Sequence, residues 1–270
     1  MPNAKDAHQR STHKFLVLGD TGSGKTSQIL TLPGKKFIYL FDANAILSLQ
    51  GGDIDYEEFL PDRINLSVNS LKAGKGDGNR TGAKSDLYVE WEKDFEHRLD
   101  TGFFDDYDVI GLDSATTFLD LIMDRVLTIN GRAGQWPQQD DYGPQMLTFT
   151  SVVRMLTSLN KIVYMTGHLE AKEDKVTGRI LRGPMMTGRL RVKIPLLFSD
   201  IFITEAENDG KGSIMHKIQT VPDRMTTCVR TSFKGLEPFE DVTIDFTKDT
   251  VGQGIGGLLN WEKKNLGGNV

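Results

Sequence analysis

A lysine and a threonine behind a run of small residues are the first groups in this chain whose types and spacing could do chemistry. Gly19-Asp20-Thr21-Gly22-Ser23-Gly24-Lys25-Thr26 follows the apolar run Phe15-Leu16-Val17-Leu18 and leads into the helix-compatible Ser27-Gln28-Ile29-Leu30-Thr31-Leu32. Strand, glycine-rich loop and helix, with G-x-x-x-x-G-K-[ST] in the loop, form the Walker A pattern. Gly22 and Gly24 let backbone N–H groups wrap phosphates with no Cβ in the way. A helix starting at the loop adds the positive end of its dipole. Lys25 is placed to reach the β and γ phosphates, and Thr26 to put its hydroxyl on Mg²⁺. Gly19 through Ser27 are thus the expected contacts of a nucleoside triphosphate, with ATP and Mg²⁺ as the ligands.

Further groups could complete such a site. Residues 107–112 read as an apolar strand that ends in Asp113-Ser114. A carboxylate there would hold Mg²⁺ through water, opposite Thr26. Residues 161–165 read as a strand closed by Thr166-Gly167-His168. His168 would sense the γ-phosphate if that strand lies between the P-loop and Asp113 strands; otherwise it is a plain loop histidine. Asp42 closes a third buried strand over residues 36–41.

These groups need a sheet to hold them. Leu87, Trp91, Phe95 and Leu99 fall four apart, one stripe of a helix packed on the sheet, and His97 lies off that stripe, solvated. Phe118, Leu119, Leu121, Ile122, Val126 and Ile129 give another helix. Met146, Leu147, Phe149, Val152, Val153, Leu156 and Leu159 give a core-facing one. Residues 64–68 are a candidate short strand, and 72–86, charged residues set among glycines, are expected to be a mobile insert. Residues 200–204 and 213–219 pair as a hairpin turning at 208–210, with His216 on its outward face and no metal role implied. Residues 227–230 could extend that edge. Alternating strands and helices behind a P-loop call for an α/β fold, a mostly parallel sheet with helices on both faces.

Two loops carry side chains suited to nucleic acid. Residues 130–144 contain Trp136 and Tyr142, which could stack on bases. Residues 169–193, expected to form a hairpin and a short helix, hold seven basic residues against three acidic ones. Lys172, Lys175, Arg179, Arg182, Arg189 and Arg191 there read either as a solvated charge run or as a phosphate-backbone surface. The net charge of -5 over 270 residues argues against a protein that coats polyanions, without excluding a local basic face. The single cysteine, Cys228, excludes internal disulfides and a cysteine zinc site. No apolar run approaches membrane-spanning length and no signal peptide is evident, so a cytoplasmic protein with no membrane partner is expected. Residues 1–13 read as a flexible tail, 14–247 as one ATPase domain with a C-terminal β-hairpin extension, and 248–270 as a glycine-rich, loosely ordered tail.

In order, the P-loop, Phe41-Asp42-Ala43-Asn44, Leu112-Asp113-Ser114 and Thr166-Gly167-His168 resemble the phage-encoded, recombinase-core P-loop ATPases. These are similar to a stripped-down RecA core and include phage nucleotide-binding and single-strand annealing proteins. Serine rather than glutamate after Asp113 favours this RecA-like reading over an AAA+ one. The resemblance implies an ATPase that binds single-stranded DNA in the host cytoplasm, with residues 130–144 and 169–193 as its two DNA loops. It also implies rings or filaments with ATP between subunits, other phage recombination or replication proteins as partners, and a basic finger at Arg230 or, failing it, Lys234. One departure stands out: RecA-like enzymes carry a water-activating glutamate where this chain has Asn44, which cannot act as a base. Asp42, Glu170 or Asp20 would have to substitute, or hydrolysis is slow and the chain is a nucleotide-gated assembly or DNA-binding module. A small-molecule P-loop kinase, with 169–193 as its lid, is the remaining alternative.

Overall fold

The computed structural model describes residues 12–60, 87–175, 178–208, 210 and 212–266, with side chains described to residue 260. The expected strand at 64–68, the insert at 72–86 and nearly all of the 1–13 tail lie outside the described residues.

The apolar runs become strands β1 (Lys14–Gly19), β2 (Lys36–Leu40), β3 (Asp55–Glu58), β4 (Val109–Asp113) and β5 (Ile162–Gly167). A hairpin, β6 (Leu169–Asp174) with β7 (Arg179–Pro184), follows, then β8 (Asp200–Asn208), β9 (Ile214–Gln219) and β10 (Phe239–Asp241). Eight strands form one sheet in the order β10-β9-β8-β1-β5-β4-β2-β3, and β6–β7 stands apart as its own ribbon. Pairing is parallel from β3 to β8 and antiparallel from β8 through β9 to β10. Arg230 does not extend the outer edge; it bridges Ile201 at the start of β8.

Side chains alternate across each strand, so the sheet has two apolar faces. Leu16 and Leu18 point to the face covered by helices α1 (Leu87–Asp100), α2 (Ala115–Ile129) and α3 (Tyr142–Ser158), where Trp91, Phe118 and Phe149 are buried. Phe15 and Val17 point to the other, where Ile29, Ile255 and Leu258 pack. Each such side chain contributes roughly 1.5–3 kcal/mol by leaving water. The one-turn helix α4 (Leu190–Lys193) follows the hairpin, as expected. The expected mostly parallel α/β order is present, with β5 between the P-loop strand and the Asp113 strand and a C-terminal antiparallel hairpin. Among the described residues, no helix is long and apolar enough to cross a membrane.

Several expectations change. The segment after the P-loop is a 3-10 helix, Thr26–Thr31, not an α-helix. Pro33 forces Leu32 into extended backbone (ψ 145°), which ends the helix at Thr31 after two short turns. The cradle therefore relies on backbone N–H groups more than on a helix dipole. Tyr142 opens α3 instead of lying in the loop, because Gln138 and Asp141 cap the turn just before it. Leu147 faces solvent at 72% exposure, although the periodicity put it in the core. The glycine-rich tail carries helix α5 (Gly254–Leu266), whose Ile255, Leu258 and Leu259 are buried.

Candidate functional site

Parallel pairing brings the carboxyl ends of β1, β5, β4 and β2 to one edge, where open α/β sheets bind ligands. Leu18 stands level with Gly167, Leu112 with Met165, and Leu40 with Asp113. The P-loop, Thr166, Asp113 and Asp42 thus meet although they lie far apart in sequence. Thr26 donates its hydroxyl to Asp113 Oδ2 at 2.8 Å, and Thr166 donates to Oδ1 of the same carboxyl. Asp42 accepts from Thr117 in the first turn of α2. Ser114 caps that helix by accepting from the Thr117 N–H.

Lys25 is 7% exposed and donates to the Asp20 carbonyl oxygen at 2.7 Å. Burial lowers the pKa of its ammonium, outweighing the pull of the Asp113, Asp20 and Asp42 carboxylates. Burial likewise pushes the Asp113 carboxyl above the ordinary carboxylate range, aided by Asp42 and opposed by the Thr166 and Thr26 hydrogen bonds and Lys25. A cation and a carboxylate both held out of water and both perturbed away from charge are a site that gains by taking up an ionic ligand.

The loop itself has the geometry a phosphate needs. Gly22 and Gly24 have φ of +79° and +86°, a region that L side chains rarely adopt. Tyr164 donates to the Lys25 carbonyl at 2.5 Å and Ser27 to the Gly24 carbonyl at 3.1 Å, fixing the base of the loop. From the β8–β9 side, Thr204 bonds Ser23 at 2.7 Å, and His216 Nδ1 lies 3.1 Å from the Ser23 carbonyl oxygen. A Cβ on Gly24 would meet the His216 ring at 2.9 Å. The outward face assigned to His216 is thus the face that props the P-loop; no cluster of three or more metal-ligating residues involves it, or any other described residue.

Of the sequence-predicted residues, Gly19 to Ser27, Asp113 and Asp42 come together. His168 lies one residue beyond β5, its N–H donating to Thr116 at 3.1 Å, while Thr166 is the residue on Asp113. Arg230 sits at the level of Ile201, three positions before the Thr204 that aligns with Gly19. Asn44 is exposed, and Glu170 is paired with Arg191 and with Lys172 at 3.0 Å. Trp136 is 91% exposed and Tyr142 37%. Lys172, Lys175, Arg179 and Arg189 are exposed, while Arg182 turns back to Glu205 and Asp20. Tyr164, Thr166, Thr117, Thr204 and His216 had no assigned role in the sequence; Tyr164 and Thr166, two apart on β5, share the loop-bearing face, the one signal that could have found them.

Strand order, phosphate loop and facing aspartate define a P-loop nucleoside-triphosphatase domain. A family model described as an AAA domain, AAA_24, matches residues 11–220, and the chain belongs to that family. No curated protein matches it. Among solved structures, the flagellar accessory protein FlaH from Methanocaldococcus jannaschii is 15% identical over 86% of this chain and 85% of its own, with a TM-score of 0.39. A KaiC-like protein from Pyrococcus horikoshii OT3 is 10% identical over 86% of each chain, with a TM-score of 0.40. A prototypical ATPase from the type III secretion system of pathogenic bacteria is 10% identical over 72% of this chain and 52% of its own, with a TM-score of 0.40.

Proposed function

We propose that this chain is a Mg²⁺-dependent ATPase that acts on single-stranded DNA in phage recombination or replication, assembled as a ring or filament. The observation that carries the nucleotide part is the 2.8 Å contact of Thr26 with buried Asp113 beside buried Lys25. A hydroxyl and a carboxylate so placed fit a hexacoordinate Mg²⁺ that takes its remaining ligands from water and phosphate. Bound Mg²⁺ would neutralise charge on the β and γ phosphate oxygens. Thr26 and Asp113 would hold it, Lys25 would reach the phosphates, and the Gly19–Ser27 backbone would cradle them. Asp42, near enough to Asp113 to raise its pKa, is the carboxylate best placed to orient an attacking water. Thr166 and His168 stand at the end of the intervening strand, where a γ-phosphate would be read. Arg230 would serve a neighbouring subunit's site.

The DNA part rests on exposed Trp136 and on Lys172, Lys175 and Arg179, which stand clear of the domain on a two-stranded ribbon at the P-loop end of the sheet. ATP hydrolysis by the purified protein, with and without single-stranded DNA, tests both parts. Turnover stimulated by DNA and abolished in Lys25→Ala is the expected result. Tight ATP binding without turnover would favour a nucleotide-gated binding module, a reading that the exposed Asn44 and the Thr117-bound Asp42 support.

A further inference from the structure

Arg182 leaves the basic surface to which its neighbours on the hairpin belong and enters the mouth of the phosphate loop. Its N–H donates to the Met225 carbonyl at 2.7 Å, which fixes this part of β7 against the segment after β9. Its Nη1 donates to Glu205 Oε1 at 2.9 Å, and its Nη2 lies 3.8 Å from Asp20 Oδ2. The side chain is only 25% exposed. A cavity of about 300 Å³ opens between Arg182, the P-loop residues Asp20, Thr21 and Ser23, and Thr204 and Glu205 of β8. On the other side of the loop, Lys25 donates to the backbone carbonyl of the same Asp20. Two cations from two different elements therefore converge on one P-loop residue.

Of the two acidic partners of Arg182, Glu205 is the firmer, at 2.9 Å and 33% exposed, whereas the Asp20 side chain is 3.8 Å away and 77% exposed, and water screens such a pair. A phosphate offers a planar guanidinium several charged oxygens in its own fork geometry, a stronger match than a distant carboxylate. Arg182 reaches the loop at Asp20, in its first residues, and shares the cavity there with Thr21 and Ser23. We infer that Arg182 contacts the terminal phosphate of a nucleoside triphosphate bound in its own chain, exchanging Asp20 and Glu205 for phosphate oxygens. The inference rests on the nucleotide-site reading above.

Equilibrium binding of Mg²⁺ with a non-hydrolysable ATP analogue, and of Mg²⁺ with ADP, to wild type, Arg182→Ala and Glu205→Gln tests it. Arg182→Ala should weaken the triphosphate about tenfold, the value of one charge-assisted hydrogen-bonded contact, and ADP less than about twofold. Glu205→Gln, which frees Arg182, should raise the preference for triphosphate over diphosphate. Equal losses for both nucleotides in Arg182→Ala, or no loss for either, would overturn the inference, since both describe an arginine that only neutralises its acidic neighbours. If Arg182→Ala does not fold, an unchanged or lower preference in Glu205→Gln overturns it instead. Failure of the wild type to bind either nucleotide would remove the nucleotide-site reading itself, whereas bound nucleotide with an unaltered preference removes this inference alone.

Discussion

The Asp113 carboxyl is buried with both oxygens committed, one to Thr26 and one to Thr166, so each hydroxyl should matter beyond its size. Thr166→Val keeps the shape and removes one donor, leaving a buried acceptor unpaired at a cost of roughly 1–3 kcal/mol. Denaturant melts should show that loss, and the extra stability conferred by Mg²⁺-ATP should shrink with it. The Walker A residues were legible because their chemistry is local in sequence. Thr166 was not, because its role depends on which strand lies between β1 and β4 and on β5 ending at Gly167, which leaves His168 beyond the strand. Lys14 makes a second residue-scale prediction. Its ammonium donates to Thr12 and to the Leu159 and Lys161 carbonyls, and burial lowers its pKa to about 8. The unfolded chain keeps that proton up to about 10.5. Between pH 8 and 10.5 the unfolded state binds more protons, so the Lys14 contribution to stability rises with pH. Tyr39 and Tyr88, whose pKa values burial raises, push the total the other way. The rise is therefore read as the difference between wild type and Lys14→Met, which should grow in favour of wild type as pH climbs through that window.

At the scale of elements, the short 3-10 helix behind the P-loop depends on α5, the helix that the sequence's glycines disguised as a loose tail. Gln28 joins the two by accepting from the Ile255 N–H at 2.9 Å, while its amide nitrogen donates to the Val242 carbonyl just past β10 at 2.6 Å. The Gly256 N–H donates to Thr31 Oγ1 at 2.9 Å, and a Cβ at Gly256 would stand 1.8 Å from the Thr31 carbonyl oxygen. Glycine there permits close backbone approach, not flexibility, and composition alone does not distinguish the two uses. Gly256→Ala must push α5 off the P-loop helix, because the obstacle is backbone and cannot rotate away. The expected cost is roughly 1–3 kcal/mol, typical of overpacking, together with weaker nucleotide binding. Equal nucleotide affinity in a stably folded Gly256→Ala protein would show that the loop holds its shape without α5. The parallel strands and the Trp91 stripe were legible for the opposite reason: their patterns report burial directly, with no partner to be guessed.

At the scale of the whole molecule, the proposed binding of single-stranded DNA by a chain of net charge -5 requires a local basic surface. The hairpin β6–β7 provides one. Lys172, Lys175 and Arg179 are exposed on it, Lys172 with only a solvent-screened pair to Glu170, whereas the more buried Arg182 and Arg191 are spent on Asp20, Glu205 and Glu170. The basic run in the sequence thus splits into residues available to an outside partner and residues that bind the hairpin to the domain, a division that only the fold reveals. Counterion release makes the split measurable. If each of the three exposed cations neutralises one phosphate of single-stranded DNA, replacing all three by alanine should flatten the log–log salt dependence of binding by about 2. Trp136→Ala should behave differently: stacking is worth roughly 1–3 kcal/mol per base and releases no counterion, so affinity should fall about tenfold with the salt slope unchanged. Arg191→Ala should leave the slope alone as well, because its charge is already matched by Glu170. A slope that falls as much for Arg191→Ala as for Arg179→Ala would mean that the ion pair opens on binding and that the hairpin meets DNA in a different arrangement from the one it holds alone.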